Sequence, residues 1–84
     1  SKSMELNTFL LYQELRKRKI ASKLMLYATG VIKDTDGFPT RYIEVKDACI
    51  GYDELDKQKP YVFKQAGTIE RLTRDDVLTR ASAL

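Results

Sequence analysis

Residues 61–72 read Tyr61-Val-Phe-Lys-Gln-Ala-Gly-Thr-Ile-Glu-Arg-Leu72 and contain an apolar run, residues 61–63, and a second short segment, residues 68–72, after a break at Gly67. Aromatic and β-branched residues are enriched in strands, and glycine accepts the positive φ angles that tight turns require. The stretch therefore predicts two short strands, over residues 61–63 and 68–72, joined by a turn at Gly67.

The chain before these strands is also rich in β-forming residues. Apolar and polar side chains alternate from Ala21 to Thr29, which is the period-two pattern of a half-buried strand. Asp36-Gly37 supplies a tight reversal, residues 42–50 form a second β-rich stretch, and the polar residues 51–60 are typical of a loop. About five short strands are predicted.

Helical patterns flank the strands. Asn7 or Thr8 can cap a helix whose leucines recur at helical spacing and whose last turn is basic, which suits the helix dipole. Near the end, Thr73 stands three residues before Asp76 in an approximate capping box. We predict one domain over residues 4–84, with helices at about 7–19 and 74–80.

Strands this short favour a particular architecture for the middle of the chain. Two separate sheets with a core between them would need longer strands, whereas a small, strongly bent barrel limits exposed edges. The predicted fold is therefore mainly β, with an N-terminal helix, a five-stranded antiparallel barrel over about 21–72 and a short C-terminal helix.

Composition argues against catalysis and against a metal or cofactor site. A chain of 84 residues buries only about 60% of the surface of its unfolded form, so small domains often need extra support. Cys49 is the only cysteine and histidine is absent, which removes internal disulfides, common zinc sites and the usual general base. We expect a non-enzymatic oligomer. With no long apolar run and no secretory signal, we expect it in the cytoplasm, without membrane contact.

Charge is distributed unevenly along the chain, whose net charge is +3. Residues 1–33 hold seven Lys or Arg against two acids, whereas residues 34–59 hold seven acids against four bases. The asymmetry is compatible with a polyanion partner on one face, and equally with an ordinary solvated surface.

Three segments, in order, resemble the Sm-like family and its Hfq branch. Gly30, Ile32 and Asp36 have the spacing of the first Sm motif, and Phe63-Lys64-Gln65-Ala66-Gly67 is similar to the Tyr-Lys-His-Ala stretch of Hfq, with glutamine in place of histidine. Residues 9–17 resemble the helix that precedes the barrel. The Met-Asn that follows the motif aspartate in the family is absent here, where residues 38–41 stand instead.

The resemblance implies a closed ring of five to seven subunits that binds single-stranded, U-rich or A-rich RNA. Phe38 or Tyr42 would stack on a base, Arg41 would neutralise phosphate, and Asp36 would support the turn. The implied RNA-binding residues are Asp36, Phe38, Thr40, Arg41, Tyr42, Lys64 and Gln65.

Two further sets of residues follow from this interpretation. Strand four of one subunit would pair with strand five of the next, through Tyr61, Val62, Phe63, Thr68, Ile69 and Leu72. A secondary basic patch would consist of Arg16, Lys17, Arg18 and Lys19.

Alternatives remain open at this point. Phe38 and Tyr42 could pack in a core or turn, and Lys64 could be a solvated strand end. The whole chain could instead be a structural or protein-interaction module on an SH3-like barrel without nucleic-acid binding. A DNA-binding regulator is weaker, because no helix-turn-helix spacing follows Lys19.

Overall fold

The computed structural model describes residues 2–20, 31–33 and 39–84, with side chains described over 6–20 and 42–84. The elements are α1 (Lys2–Lys17), β1 (Val31–Lys33), β2 (Pro39–Val45), β3 (Ala48–Tyr52), β4 (Tyr61–Gln65), β5 (Thr68–Leu72) and α2 (Arg74–Ser82). Both predicted helices are confirmed, although the first was expected at 7–19 and the second at 74–80. The strand predicted over 21–29 lies outside the described residues.

The strands pair in sequence order, and each neighbouring pair is antiparallel. The last four, β2 to β5, form a four-stranded open sheet. β1 pairs only with residues 39–41 at the start of β2, whereas β2 pairs with β3 from Tyr42 onward. β1 is therefore a short flanking strand at one corner of the sheet.

The predicted five-stranded barrel is wrong for this part of the chain. Within residues 31–33 and 39–84, β5 pairs with β4 and no pairing joins it to β1 or β2. The physical reason is that α1 packs against β2 and β3 while α2 packs against β4 and β5. The helices bury the apolar face of the sheet, so the sheet does not need to close on itself.

The core lies between the helices and one face of the sheet, which we call the core face. Successive side chains of a strand point to opposite faces of the sheet, so every second strand residue points to the core face. Each buried leucine in such a core contributes about 2 to 5 kcal/mol against truncation to alanine. The buried core residues are Leu11, Leu15, Ile43, Val45, Ala48, Ile50, Tyr61, Phe63, Val77, Leu78 and Ala81.

Two tight turns connect the strands at one end of the sheet. Ala66 (φ 52°) and Gly67 (φ 82°) join β4 to β5, as predicted from Gly67. Their two positive φ angles are those of a type I′ hairpin turn. Lys46 (φ 55°) and Asp47 join β2 to β3, so the single β-rich stretch predicted over 42–50 is two strands.

α2 begins at the predicted cap. The Asp76 backbone N–H donates to Thr73 Oγ1 at 3.2 Å. Further along α2, Arg80 pairs with Glu70 of β5 at 2.5 Å and lies 4.8 Å from the centre of the Phe63 ring. A cation over an aromatic face is attractive, so Arg80 helps to fix the helix on the sheet.

Candidate functional site

The sheet face opposite the helices, which we call the second face, bears a mixture of polar and apolar side chains. These are the strand residues that alternate with the core: Tyr42, Glu44, Cys49, Val62, Lys64, Ile69 and Arg71. Val62 is fully buried although it does not belong to the core cluster, whereas Lys64 is exposed. Glu44, Cys49, Lys64 and Ile69 are direct neighbours across the four strands.

The two turns meet at one end of this face. The β2–β3 and β4–β5 hairpins reverse at the same end because Ala48 pairs with Gln65. Gln65 Nε2 donates to Asp47 Oδ1 at 3.2 Å, so a side-chain hydrogen bond connects the two hairpins. This bond fixes the amide and the carboxylate relative to each other.

A cavity of about 170 Å³ opens beside this hydrogen bond. We call the cavity and its walls the turn-end site. An aromatic ring, a cation, an amide and a carboxylate converge on it, which are the groups that stack on and hydrogen-bond to a planar polar ligand. The lining residues are Tyr42, Asp47, Cys49, Lys64, Gln65, Ala66 and Gly67.

The structure brings together three of the residues predicted to contact RNA. Tyr42, Lys64 and Gln65 line the turn-end site. Thr40 and Arg41 lie in β2, opposite β1, and only their backbone is described. Asp36 and Phe38 lie outside the described residues. Of the seven predicted RNA-binding residues, Tyr42, Lys64 and Gln65 therefore lie together in the structure.

Asp47 and Cys49 belong to the turn-end site but were not predicted as part of it. The sequence contained one signal for Asp47, because Lys46-Asp47 is a polar pair between apolar alternations and such pairs mark two-residue turns. Cys49 has no comparable signal, because a cysteine in a strand is most simply a small apolar residue.

Two hydrogen-bond donors of the site, the Cys49 thiol and the Tyr42 hydroxyl, have a raised pKa. Burial raises the pKa of the Cys49 thiol, Glu44 raises it further, and Lys64 opposes the change. Burial also raises the pKa of the Tyr42 hydroxyl, with Cys49 and Glu44 adding to the effect. At neutral pH both groups are hydrogen-bond donors, and Cys49 is a thiol rather than the nucleophilic thiolate. This arrangement suits binding more than covalent chemistry.

A second cavity, of about 340 Å³, lies on the helix side of the same hydrogen bond and is lined by Asp47, Gln65, Ala66, Thr68, Glu70 and Arg80. Its principal charged groups are already engaged, since Arg80 pairs with Glu70 and stacks on Phe63. This cavity is therefore part of the α2 docking region.

The predicted basic patch lies at the end of α1, and all four of its side chains are exposed. Arg18 Nε contacts Glu14 Oε1 at 3.3 Å, and Arg16 lies 5.7 Å from the centre of the Tyr12 ring. Lys17 and Lys19 complete a concentrated positive surface, to which phosphate would be attracted.

The predicted subunit interface requires a correction. Tyr61, Val62 and Phe63 are buried, and β4 pairs with β3 on one side and β5 on the other. β4 therefore has no edge to offer a neighbouring subunit. β5 is the last strand in the pairing order, so Thr68, Ile69 and Leu72 lie on the outermost strand of the described sheet.

The second face is anchored at the end opposite the turns. Arg71 Nη2 donates to Asp53 Oδ2 at 2.7 Å, and the Leu55 backbone N–H donates to Asp53 Oδ1 at 3.0 Å. The Asp53 backbone N–H donates to the Pro60 carbonyl at 2.7 Å. These bonds fix the loop over residues 53–60 at that end of the sheet.

The residues that the structure describes contain no cluster of three metal-ligating side chains, and no helix among them is long and apolar enough to cross a membrane. No protein-family model, curated protein or solved structure matches the chain.

Proposed function

We propose that the protein binds single-stranded RNA at the turn-end site, as a non-enzymatic subunit of an Sm-like homo-oligomer. The observation that supports the proposal is the convergence of Tyr42, Lys64 and Gln65 on one cavity. Tyr42 lies 22 residues before Lys64 in the sequence, and the pairing of the strands brings the two onto one cavity. The proposed compartment is the cytoplasm, where a lone thiol such as Cys49 stays reduced.

The chemistry of the site matches the needs of a single-stranded ligand. Unpaired bases expose their faces and edges, so proteins bind them by aromatic stacking and by hydrogen bonds to the edges. Tyr42 provides a ring, Gln65 and Asp47 provide edge contacts, and Lys64 provides one cation. Glu44 lies two residues along β2 from Tyr42 and partly offsets Lys64. Base contacts therefore contribute more here than phosphate contacts.

Phosphate attraction comes mainly from another part of the molecule. The exposed cations of residues 16–19 form the densest positive surface of the described chain. An RNA strand longer than the turn-end site could contact both surfaces, on one subunit or on two. Oligomerisation would multiply such weak contacts.

Mutation of Tyr42 tests the stacking contact. Stacking of one base on an aromatic ring is worth roughly 1 to 3 kcal/mol, so Tyr42→Ala should weaken binding of a labelled single-stranded RNA by about tenfold or more. Tyr42→Phe keeps the ring and should bind within about twofold to threefold of the wild type. Fluorescence anisotropy measures both, and equal affinity of all three proteins would disprove the stacking role.

Mutation of Lys64 tests the phosphate contact. Each phosphate contact to a single strand contributes about 0.7 to the slope of log affinity against log salt concentration. Lys64→Ala should lower that slope by this amount. Lys57→Ala is the matched control, because Lys57 is an exposed lysine in the loop at the other end of the sheet. An identical slope change in both variants would mean that Lys64 acts only through net charge.

The oligomer requires a separate test. Because β4 is internal, the strand edge that we propose for pairing with a neighbouring subunit is the outer edge of β5, the last strand in the order. Native mass spectrometry of the protein, alone and with RNA, should show a closed oligomer that takes up RNA. A monomer of 9.7 kDa that binds RNA would be consistent with RNA binding at the turn-end site and would exclude the ring.

A second candidate function has its own supporting observation. Leu6, Phe9 and Leu10 recur at helical spacing on α1 and are 57%, 43% and 45% exposed. An exposed apolar stripe is typical of a protein-interaction surface. On this alternative the protein is an interaction module without nucleic-acid binding, and its complexes would depend little on salt, unlike RNA complexes.

A further inference from the structure

The exposed large apolar side chains lie in two places whose charges are opposite. Over residues 6–20 and 42–84, whose side chains the structure describes, they are Leu6, Phe9 and Leu10 on α1 and Leu55 in the loop over residues 53–60. Leu55 is 63% exposed and the three α1 residues are 43% to 57% exposed. The two groups therefore do not bury each other within one chain, and both are accessible to a second molecule.

On α1 the apolar residues share one side of the helix with cations. Leu6, Phe9 and Leu10 lie within about one turn of each other, and the exposed Arg16 and Lys17 follow two turns later on the same side. Long side chains on a helix lean toward its N-terminus, so the two cations extend toward the apolar residues about 10 Å away. We call these five residues the α1 outer face.

The loop presents Leu55 between two acids, Glu54 and Asp56, on a fixed backbone. The Leu55 backbone N–H donates to Asp53 Oδ1 at 3.0 Å, before the exposed side chain. After it, Asp56 Oδ1 accepts two backbone N–H bonds, at 3.0 and 2.9 Å. Because the backbone is bonded on both sides of Leu55, binding through this residue would order little of the chain and would cost little entropy.

We propose that the acidic loop around Leu55 docks on the α1 outer face of a second copy of this chain. Leu55 would pack among the apolar residues of that face, with the carboxylates beside it near Arg16 and Lys17. Apolar contact would supply most of the affinity, since exposed ion pairs contribute little, and the charges would favour this partner over a basic one. The inference names the partner of the exposed α1 stripe and does not rest on RNA binding or on pairing at β5.

The proposed contact is heterologous, because each copy offers its loop at one place and its α1 outer face at another. Four apolar side chains form a contact smaller than a stable interface usually needs, so one such contact is weak and depends on protein concentration. A copy that binds through its loop still offers its α1 outer face, so further copies can add.

Two variants each remove one half of the contact. Leu55→Gln changes the loop, and Phe9→Gln combined with Leu10→Gln changes α1; all three positions are exposed, so circular dichroism should show the wild-type fold. Labelled Leu55→Gln protein, which keeps α1 intact, is titrated without RNA with the unlabelled α1 variant, which keeps the loop intact. Fluorescence anisotropy should show binding of this mixed pair. Each variant with itself should bind at least about tenfold more weakly.

The charges are tested separately on two lysines. Lys17→Gln removes a cation of the α1 outer face and should weaken association of the otherwise wild-type protein about twofold to fivefold. Lys57→Gln is the matched control, because it removes the same charge from an exposed position of the docking loop itself. A cation there opposes attraction to α1, so this variant should bind as well as the wild type or more tightly.

The outcomes distinguish this contact from the other proposed contacts. A ring formed through β5 would give the same signal in the mixed titration and in the self-titrations, so the difference between them reports only the contact of the loop with α1. No association of the wild-type chain, or equal affinity in all titrations, would overturn the proposal. An equal loss of affinity in the Lys17 and Lys57 variants would contradict docking of the acidic loop on the basic face.

Discussion

The two faces of this sheet are built from alternate residues of the same strands and differ in what they contact. On the core face, Ile50 and Phe63 are buried beneath both helices. On the second face, Cys49 and Lys64, one position along each strand, adjoin a cavity. A shift of register by one residue would exchange the two sets. The pattern of alternation therefore determines both which residues form the core and which residues adjoin the cavity.

The second face also differs between its two ends. At the turn end, polar groups line a cavity and are available to a ligand. At the other end, the carboxylate of Asp53, which is 9% exposed, is used internally by Arg71. Mutations at the first end should change binding with little loss of stability, and mutations at the second end should do the reverse.

Truncation of the core face should have the largest effect. Phe63 is 1% exposed and also contacts Arg80, so Phe63→Ala should lower the free energy of unfolding by about 3 to 5 kcal/mol. Urea denaturation followed by circular dichroism measures this. Ile69→Ala, on the second face of the adjacent strand, is the control and should cost clearly less. An equal loss for both variants would contradict the assignment of faces.

Disruption of the internal ion pair should have the next largest effect. Asp53→Asn removes the charge-assisted hydrogen bond from Arg71 and should cost about 1 to 3 kcal/mol of stability. RNA affinity at the turn end should be unchanged in conditions where the variant is folded. Thermal unfolding and anisotropy measure the two quantities, and a large affinity loss with intact stability would show that the ligand extends to this end.

A smaller, stabilising effect is expected at the turn itself. Ala66 has a φ of 52°, which costs an alanine roughly 1 kcal/mol and costs glycine little. Ala66→Gly should therefore raise the stability by up to about 1 kcal/mol, less the greater flexibility of glycine in the unfolded chain. Denaturant titration measures the change. Thr79→Gly, at an exposed position inside α2, should instead destabilise the protein, and destabilisation by both would disprove the turn geometry.

The smallest predicted effect is a pH dependence in the loop over residues 53–60. Backbone hydrogen bonds from Lys59 and Gln58 hold the pKa of Asp56 below its usual range. A depressed pKa in the folded state contributes stability above the unfolded value of about 3.9, and this is lost as the pH falls through the folded value. The stability of the wild type should therefore fall more than that of Asp56→Asn between pH 5 and pH 2, and parallel curves would refute the role of these bonds.

Local signals in the sequence predicted individual elements well. The β4–β5 hairpin followed from the apolar run at residues 61–63 and the break at Gly67, and α2 followed from Thr73 and Asp76. Both depend on neighbouring residues alone. The Lys46–Asp47 turn was missed although this polar pair interrupts the apolar alternation, because lysine seldom adopts the positive φ angle that the turn requires.

Long-range arrangement was predicted less well. The barrel prediction failed because no local pattern shows that two helices from opposite ends of the chain cover the same face. The internal position of β4 was missed for the same reason, since strand order depends on pairings between distant segments. Among the residues of the site, Tyr42, Lys64 and Gln65 were predicted from the family resemblance. Asp47 was not, because its position beside Gln65 depends on the meeting of the two turns in space.

The most direct test of the RNA-binding proposal is a nuclear magnetic resonance titration of the ¹⁵N-labelled protein with single-stranded oligoadenosine. Binding at the turn-end site should shift the amide signals of Tyr42, Asp47 and residues 64–67, with little change at the α2 core residues Val77 and Leu78. Shifts confined to Leu6, Phe9 and Leu10 of α1, or no shifts at all, would contradict it.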